Sequence, residues 1–159
     1  MSQRFTVESE LSRIDRGLTS DAQKEWGLTV EWFRFDQENT DVDDIYDVGA
    51  ARRWKPPLLM PTLWVIREEG SDTFDQEGLY TTETLQVAVA KHVLRDKLHW
   101  VDLDRNVRER LNDRLRFEGH VYTISSFQLQ GQLLRRDTII GILANKVRSD
   151  QYVWDPEFT

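Results

Sequence analysis

Cysteine is absent from the 159-residue chain, and this absence excludes disulfide bonds, thiolate metal sites and cysteine nucleophiles. No apolar run approaches the ~18 residues that a membrane-spanning helix requires. The eight glycines are too widely spaced for a phosphate-binding loop, and no nucleophile elbow or dinucleotide-binding fingerprint is present. We therefore expect no bound cofactor and no membrane span, and the length predicts a single domain that can carry arms.

Acidic side chains outnumber basic ones, and the formal net charge is -7. The excess lies in one half of the chain: residues 1–80 carry 17 acids and 9 bases, whereas residues 81–159 carry 11 acids and 12 bases. Specific and non-specific DNA binding both depend on a basic surface that neutralises phosphates. The charge balance therefore argues against DNA binding, whereas an acidic channel wall would let DNA slide past.

Apolar and polar residues alternate in several short segments after residue 28, which is typical of β-strands. The segments are 28–35, 62–67, 82–93, 115–126 (with the turn Glu118-Gly119), 127–131 and 137–147. Residues 102–112 fit one short helix and 70–78 a polar turn region, and Gly141 predicts a bulge or bend. The pattern predicts a mainly β protein: a small antiparallel β-barrel or sandwich with a long inserted loop, a short helix and an N-terminal arm.

Three regions are expected along the chain. Residues 1–27 form an N-terminal arm, in which the spacing of Val7, Leu11, Ile14 and Leu18 indicates a helical stripe. Residues 28–148 form the β-barrel domain and include the long loop 36–61, a length that is unusual in a compact domain and often functional. Residues 149–159 form an aromatic C-terminal tail.

No catalytic or metal-binding residue is predicted. His92 and His99 are seven residues apart, but their segment fits an extended strand better than a helix that would align them. The sequence Asp41-x-Asp43-Asp44 suggests a calcium loop, yet Tyr46 stands where an EF-hand requires glycine. No pair of acids is singled out as an acid/base couple.

Partner contacts are predicted on charged and aromatic segments: Asp41, Asp43, Asp44, Arg52, Arg53, Trp54, Arg108, Arg110, Trp154 and Phe158. In a ring of identical subunits, the arginines around Arg108 and Arg110 are expected to meet the acidic 36–47 segment of the neighbour. A solvated helix face and a nucleic-acid-binding patch are the alternatives for these arginines. Tryptophan and tyrosine are enriched in binding hot spots, although Trp154 is equally able to pack against its own barrel.

Two stretches of the chain resemble head-to-tail connector proteins of long-tailed bacteriophages, which are neck, stopper or head-completion proteins. One stretch has Asp113, an apolar strand, the turn Glu118-Gly119, a strand with Tyr122 and Ile124, and a crossing strand at 138–142. The other runs from Glu31 to Gly70. The resemblance covers roughly residues 26–155, and a longer N-terminal segment than in the smallest members sets this chain apart.

The resemblance implies a structural virion protein without enzymatic activity. Such proteins form a β-barrel ring, usually a hexamer, between the portal/adaptor ring and the tail tube or terminator, where they retain packaged DNA and dock the tail. The expected location is the head–tail interface of the virion, with assembly in the bacterial host cytoplasm. By position, the 36–61 loop is the candidate to enter the channel or grip a neighbouring ring.

Three alternatives remain open. A tail terminator or other minor tail protein is related in role, but terminators usually pair a sheet with two flanking helices, and one clear helix after residue 28 favours the stopper. A host-interaction module on the tail and a small enzyme that uses carboxylates are the others.

Overall fold

The computed structural model describes residues 7–43, 48–75, 78–99, 110–133, 136–148 and 158. The elements are α1 (Val7–Trp26), β1 (Thr29–Phe33), β2 (Asp41–Asp43), β3 (Val48–Ala51), β4 (Leu58–Pro61), β5 (Trp64–Asp75), β6 (Gly78–Ala90), α2 (Lys91–Leu98), β7 (Arg114–Phe117), β8 (His120–Leu133) and β9 (Arg136–Lys146). Seven strands form an antiparallel sheet in the order β4-β1-β7-β8-β9-β6-β5, and β2 pairs separately with β3. The prediction of a mainly β fold is confirmed.

The sheet is strongly curled. In a flat sheet the edge strands β4 and β5 would lie six strand spacings apart, or ~29 Å, yet β4 ends at Pro61 and β5 begins at Trp64. The chain between β4 and β5 also connects the two edges, because Thr62 N–H donates to Leu28 O (2.9 Å) and Leu63 N–H to Ala88 O (2.7 Å). Strands β4 and β5 do not pair with each other, so the sheet is barrel-like and open along one side.

The concave face of the sheet carries the apolar core. Trp32, Leu115 and Tyr122 occupy paired positions on three neighbouring strands, and each is at most 1% exposed. Helix α2 adds Val93, Leu94 and Leu98 to the same core. Burial of side chains of this size contributes ~1.5–3 kcal/mol each, so the core rather than the arms supplies the stability.

The turn between β7 and β8 has the form that the sequence predicted. Glu118 (φ 49°) and Gly119 (φ 80°) are both in the left-handed region, as a two-residue type I′ turn requires. The structure shows no bulge at Gly141 itself, because Gly141 keeps a regular register with both neighbouring strands. The register shifts close to it leave an extra residue at Gln130 in β8 and at Thr138 in β9. The side chain of Gln130 lies over Gly141, where a Cβ atom would require it to move.

Two segments differ from the sequence prediction. The polar turn predicted at 70–78 is strand: β5 continues to Asp75, and β6 begins at Gly78. The strand predicted to reach Val93 ends at Ala90, and the residues that follow form α2. Lys91 breaks the alternation at this point, which is the sequence signal for the end of the strand, and the apolar pattern after it is that of a helix.

The long connection after β1 contains more structure than a loop. Asp36 N–H donates to Arg53 O (2.9 Å) and Lys55 N–H donates to Arg34 O (2.8 Å), and Phe35 and Trp54 form a β-bridge. Strands β2 and β3 continue this pairing outward. We call residues 36–53 the hairpin arm.

The N-terminal helix predicted from the apolar stripe is confirmed as α1, but the stripe is not its packed side. Ile14 is 51% and Leu18 65% exposed, whereas Thr19 is 6% exposed. Thr19 Oγ1 lies 3.5 Å from His92 Nδ1 of α2. Among the described residues, no helix is both long and apolar enough to cross a membrane.

Candidate interaction site at the base of the hairpin arm

Asp113 fixes the position of the arm base. Its Oδ2 accepts a hydrogen bond from Trp32 Nε1 (2.8 Å) and its Oδ1 accepts one from the Phe35 backbone N–H (2.8 Å). Residues 110–112, just before Asp113, are a helical residue and a turn. The backbone N–H of Asp113 donates to Arg110 O (3.1 Å) and closes this turn. One side chain therefore connects β1, the start of the arm and the segment before β7.

The carboxyl group of Asp113 is almost completely buried. Burial raises its pKa to about 6, against the lowering effect of the hydrogen bonds from Phe35 and Trp32 and of the positive charges of Arg110 and Arg34. The Arg110 guanidinium lies 3.7 Å away. A buried carboxylate that accepts two hydrogen bonds is costly to remove, because the two donors would lose their partner.

An aromatic cluster packs against this base. It contains Phe33, Phe35, Trp54 and Phe158, with ring centroids 5.8 Å apart for Phe35–Trp54, 5.3 Å for Trp54–Phe158 and 4.7 Å for Phe33–Phe158. Trp54 Nε1–H donates to Asn112 O (3.2 Å). The indole is thereby held by the same short segment that carries Asp113.

Two arginines of β7 contact the cluster from the sheet. The Arg114 guanidinium carbon lies 4.0 Å from the Trp54 ring centroid and 5.0 Å from that of Phe158, and the Arg116 carbon lies 5.3 Å from that of Phe33. Cation–π contacts of this kind are strengthened by burial, and Arg114 is 3% exposed. Arg116 also forms an ion pair with Glu31.

Beside the cluster, the outer face of the sheet forms an open groove. Its volume is about 530 Å³, and its lining residues are Leu28, Thr29, Glu31, Leu59, Arg116, Phe117, Glu118 and Gly119. Leu59 is 59% and Leu28 49% exposed. The groove is shallow and its two central charges, Glu31 and Arg116, pair with each other.

A second group of charges lies on the concave side, around Glu83. Its carboxylate accepts hydrogen bonds from Lys146 Nζ (2.7 Å) and from the Tyr122 hydroxyl, and Arg67 Nε lies 3.6 Å away. Burial by itself would raise the pKa of Glu83. The hydrogen bonds from Lys146 and Tyr122 lower it by more, so the pKa of Glu83 lies below its ordinary value. Burial and Glu83 raise the pKa of Tyr122. A carboxylate with a lowered pKa and a phenol with a raised one are poorly matched for proton transfer near neutral pH.

Four of the predicted partner residues lie at or near the arm base. Arg52 and Arg53 are exposed and lie directly after β3, at the end of the hairpin arm. Trp54 is 5% exposed and its ring packs within its own chain. Phe158 joins the same cluster, so the structure brings together residues that are more than a hundred positions apart.

The remaining predicted residues lie elsewhere or outside the described part. The backbones of Asp41 and Asp43 lie in β2, whereas Asp44, Arg108 and Trp154 lie outside the described residues. Arg110, expected to meet a neighbour's acidic segment, has partners in its own chain: Asp113 (3.7 Å) and Leu98 O, to which its Nη2 donates (3.4 Å). Its contact with a neighbouring subunit stays a prediction.

Sequence reasoning did not single out Phe33 and Arg114 as members of this site. The available sequence signal was the alternation in β1, which places Phe33 on the face opposite Trp32. In the structure Phe33 of β1 pairs with Arg114 of β7. That face would normally be solvent-exposed, so an aromatic residue there indicates a covering segment. Within the described residues, no group of His, Cys, Asp or Glu is arranged to hold a metal ion.

Comparisons with known proteins add little to this geometry. No protein-family model matches the chain, and no curated protein matches it. Among solved structures, a chain of the "Virion of native gene transfer agent (GTA) particle" is similar, with 13% sequence identity over 76% of this chain and 94% of that chain and a TM-score of 0.43. A likeness of this size establishes neither a shared fold nor a shared function.

Proposed function

We propose that this chain is a structural virion protein of the bacteriophage neck, a stopper that forms a ring between the portal/adaptor assembly and the tail. In this role it retains packaged DNA and docks the tail, and it catalyses no reaction. The hexameric ring, the neighbours and the position at the head–tail interface are parts of the proposal. The resemblance of residues 26–155 to head-to-tail connector proteins supports it.

The observation that carries the proposal is the pair of two-stranded extensions that leave the barrel-like sheet. Strand β6 pairs with β9 from Thr84 to Ala90, but β5 and β6 continue to pair out to Asp75 and Gly78. The six residues 78–83 of β6, which pair with β5 but not with β9, extend ~20 Å beyond the three-stranded part. The hairpin arm is the other extension, and Asp113 and Trp54 anchor its base.

Such extensions favour a role in assembly. A two-stranded ribbon is marginally stable by itself, and its free edges are templates for contact with another chain. An arm with a firmly bonded base transmits a fixed geometry to a neighbouring subunit. The net charge of -7 suits a channel through which DNA passes without binding.

Deletion of the gene in the phage that encodes this protein tests the role. We expect full-length DNA to leak from filled heads and tails to remain unjoined, with rescue by the wild-type gene. Rescue should fail with a gene whose hairpin arm is replaced by a short Gly-Ser turn. Particles that keep their genomes and join tails without the protein would contradict the proposal.

A tail terminator is the second candidate, and one observation favours it. Terminators were expected to pair a sheet with two helices, and the described chain has α1 and α2 beside its sheet. The two roles differ in the assembly intermediate with which the protein is expected to copurify. A stopper is expected to copurify with tailless filled heads, whereas a terminator is expected to copurify with headless tails.

A further inference from the structure

Phe158 fills a pocket whose walls are almost completely buried when it is present. We call Phe33, Trp54 and Arg114 the aromatic pocket. Phe33 is 2%, Arg114 3% and Trp54 5% exposed with Phe158 in place. Removal of Phe158 would expose part of two large aromatic rings to water, so the pocket requires an aromatic occupant.

The segment before Phe158 is long enough to reach beyond its own barrel. Ten residue steps separate Arg148, at the end of the described barrel, from Phe158, and an extended chain of that length spans up to ~33 Å. The radius of gyration of a folded chain of this size is ~15 Å. The segment can therefore reach a touching neighbour whose pocket faces the end of the barrel at Arg148.

The charges of the tail and of the pocket's surroundings are complementary. Residues 149–159 contain Asp150, Asp155 and Glu157 and no base. Arg114 lies in the pocket wall, and exposed Arg52 and Arg53 lie beside it on the hairpin arm. An acidic segment that ends near an aromatic anchor complements this surface in charge.

We propose that, in the assembled protein, Phe158 of one copy occupies the aromatic pocket of the next copy. The contact that the structure shows within one chain would then form between chains, as in domain swapping. Each copy contributes one tail and one pocket, which is a heterologous contact able to close a ring. The inference rests on the proposed function for the existence of a ring, but the contact itself is measurable without phage particles.

The absence of cysteine allows a clean crosslinking test. Full-length chains with Arg53→Cys alone and Thr159→Cys alone are mixed at high concentration and treated with a short thiol-reactive crosslinker. We expect a product of two-chain mass, and Phe158→Ala in the Thr159→Cys chain should lower its yield about tenfold, as loss of ~1.4 kcal/mol of contact would. Gln128→Cys, at an exposed position of β8, replaces Arg53→Cys in the matched control and should give no Phe158-dependent product.

A chain that carries both Arg53→Cys and Thr159→Cys separates the two arrangements. If it closes on itself while the mixture gives no Phe158-dependent product, the tail occupies its own pocket and the proposal is wrong. Absence of a Phe158-dependent product in both samples also overturns it. Failure here leaves the neck role intact, because gene deletion tests that role separately, and a positive crosslink would stand even if the protein were located elsewhere in the particle.

Discussion

The base of the hairpin arm and helix α1 show how differently two peripheral regions are attached. At the arm base, Asp113 and Asn112 accept three hydrogen bonds from Trp32, Phe35 and Trp54. Helix α1 is longer than any strand, yet the side-chain hydrogen bond described between it and the rest of the protein is that of Thr19 with His92. We therefore expect the twenty residues of α1 to be held less firmly than the arm base.

Among substitutions in the two peripheral regions, the largest loss of stability is expected from Asp113→Ala. The substitution leaves the buried donors of Trp32 and Phe35 without acceptors, at ~1–3 kcal/mol each, so we expect a loss of ~3 kcal/mol in the free energy of unfolding. Urea unfolding followed by tryptophan fluorescence measures it. Asp113→Asn, which keeps one acceptor, is expected to lose less, and equal losses would show that shape rather than bonding matters.

A smaller loss is expected from Phe158→Ala, because its ring is partly exposed. Contacts with Phe33, Trp54 and Arg114 should contribute ~1–2 kcal/mol to the free energy of unfolding. Leu129→Ala serves as control, since Leu129 is 39% exposed and belongs to no aromatic contact. Equal effects of the two substitutions would mean that the aromatic cluster adds nothing beyond surface burial.

Acidification provides a test of Asp113 without changing the arm. Its folded-state pKa of about 6 lies above the ordinary value of 3.8, so the folded protein binds the proton more tightly than the unfolded chain. The stability that protonation of this group adds is fully present below pH 3.8, decreases as pH rises towards about 6 and is lost above it. The hydrogen bonds that the carboxylate accepts are a separate contribution. Between pH 7 and pH 5 the wild type should gain ~1 kcal/mol relative to Asp113→Asn. A constant difference between the two proteins across this range would contradict the buried state of the carboxyl group.

The smallest effects are expected on the exposed stripe of α1. Ile14→Ser and Leu18→Ser should change the free energy of unfolding by no more than ~0.5 kcal/mol. Leu94→Ala in α2, where the side chain is fully buried, should lose ~2–5 kcal/mol. A large loss from Ile14→Ser would show that the stripe is covered in the protein in solution, and that α1 is as firmly attached as the arm base.

The parts of the fold that depend on local pattern were predictable from the sequence. The turn Glu118-Gly119, the strands on either side of it and the helical spacing of α1 were all recognisable, because alternation and glycine placement act over a few residues. Helix α2 was not predicted, since Val93 continues the alternation of the strand before it and Lys91 looks like a single exception within that strand. The change of period at Lys91 is a weak signal that becomes clear only with the packing of Leu94 and Leu98.

The site could be predicted less completely than the fold. Trp54 and Phe158 were singled out as contact residues from their type alone, but their meeting depends on the whole barrel. The burial of Asp113 and the positions of Phe33 and Arg114 follow from the pairing of β1 with β7, a contact between segments some eighty residues apart. Such long-range pairing has no local sequence signature.

The central claim, that this chain works by shape and adhesion at the neck, is most directly tested by imaging particles in which it carries a label. The label is best joined before residue 7, ahead of α1, so that the arm base and aromatic cluster stay intact. Averaged electron micrographs are predicted to show a ring of added density between head and tail. Density at the tail tip, or particles of normal appearance that lack the label altogether, would contradict the claim.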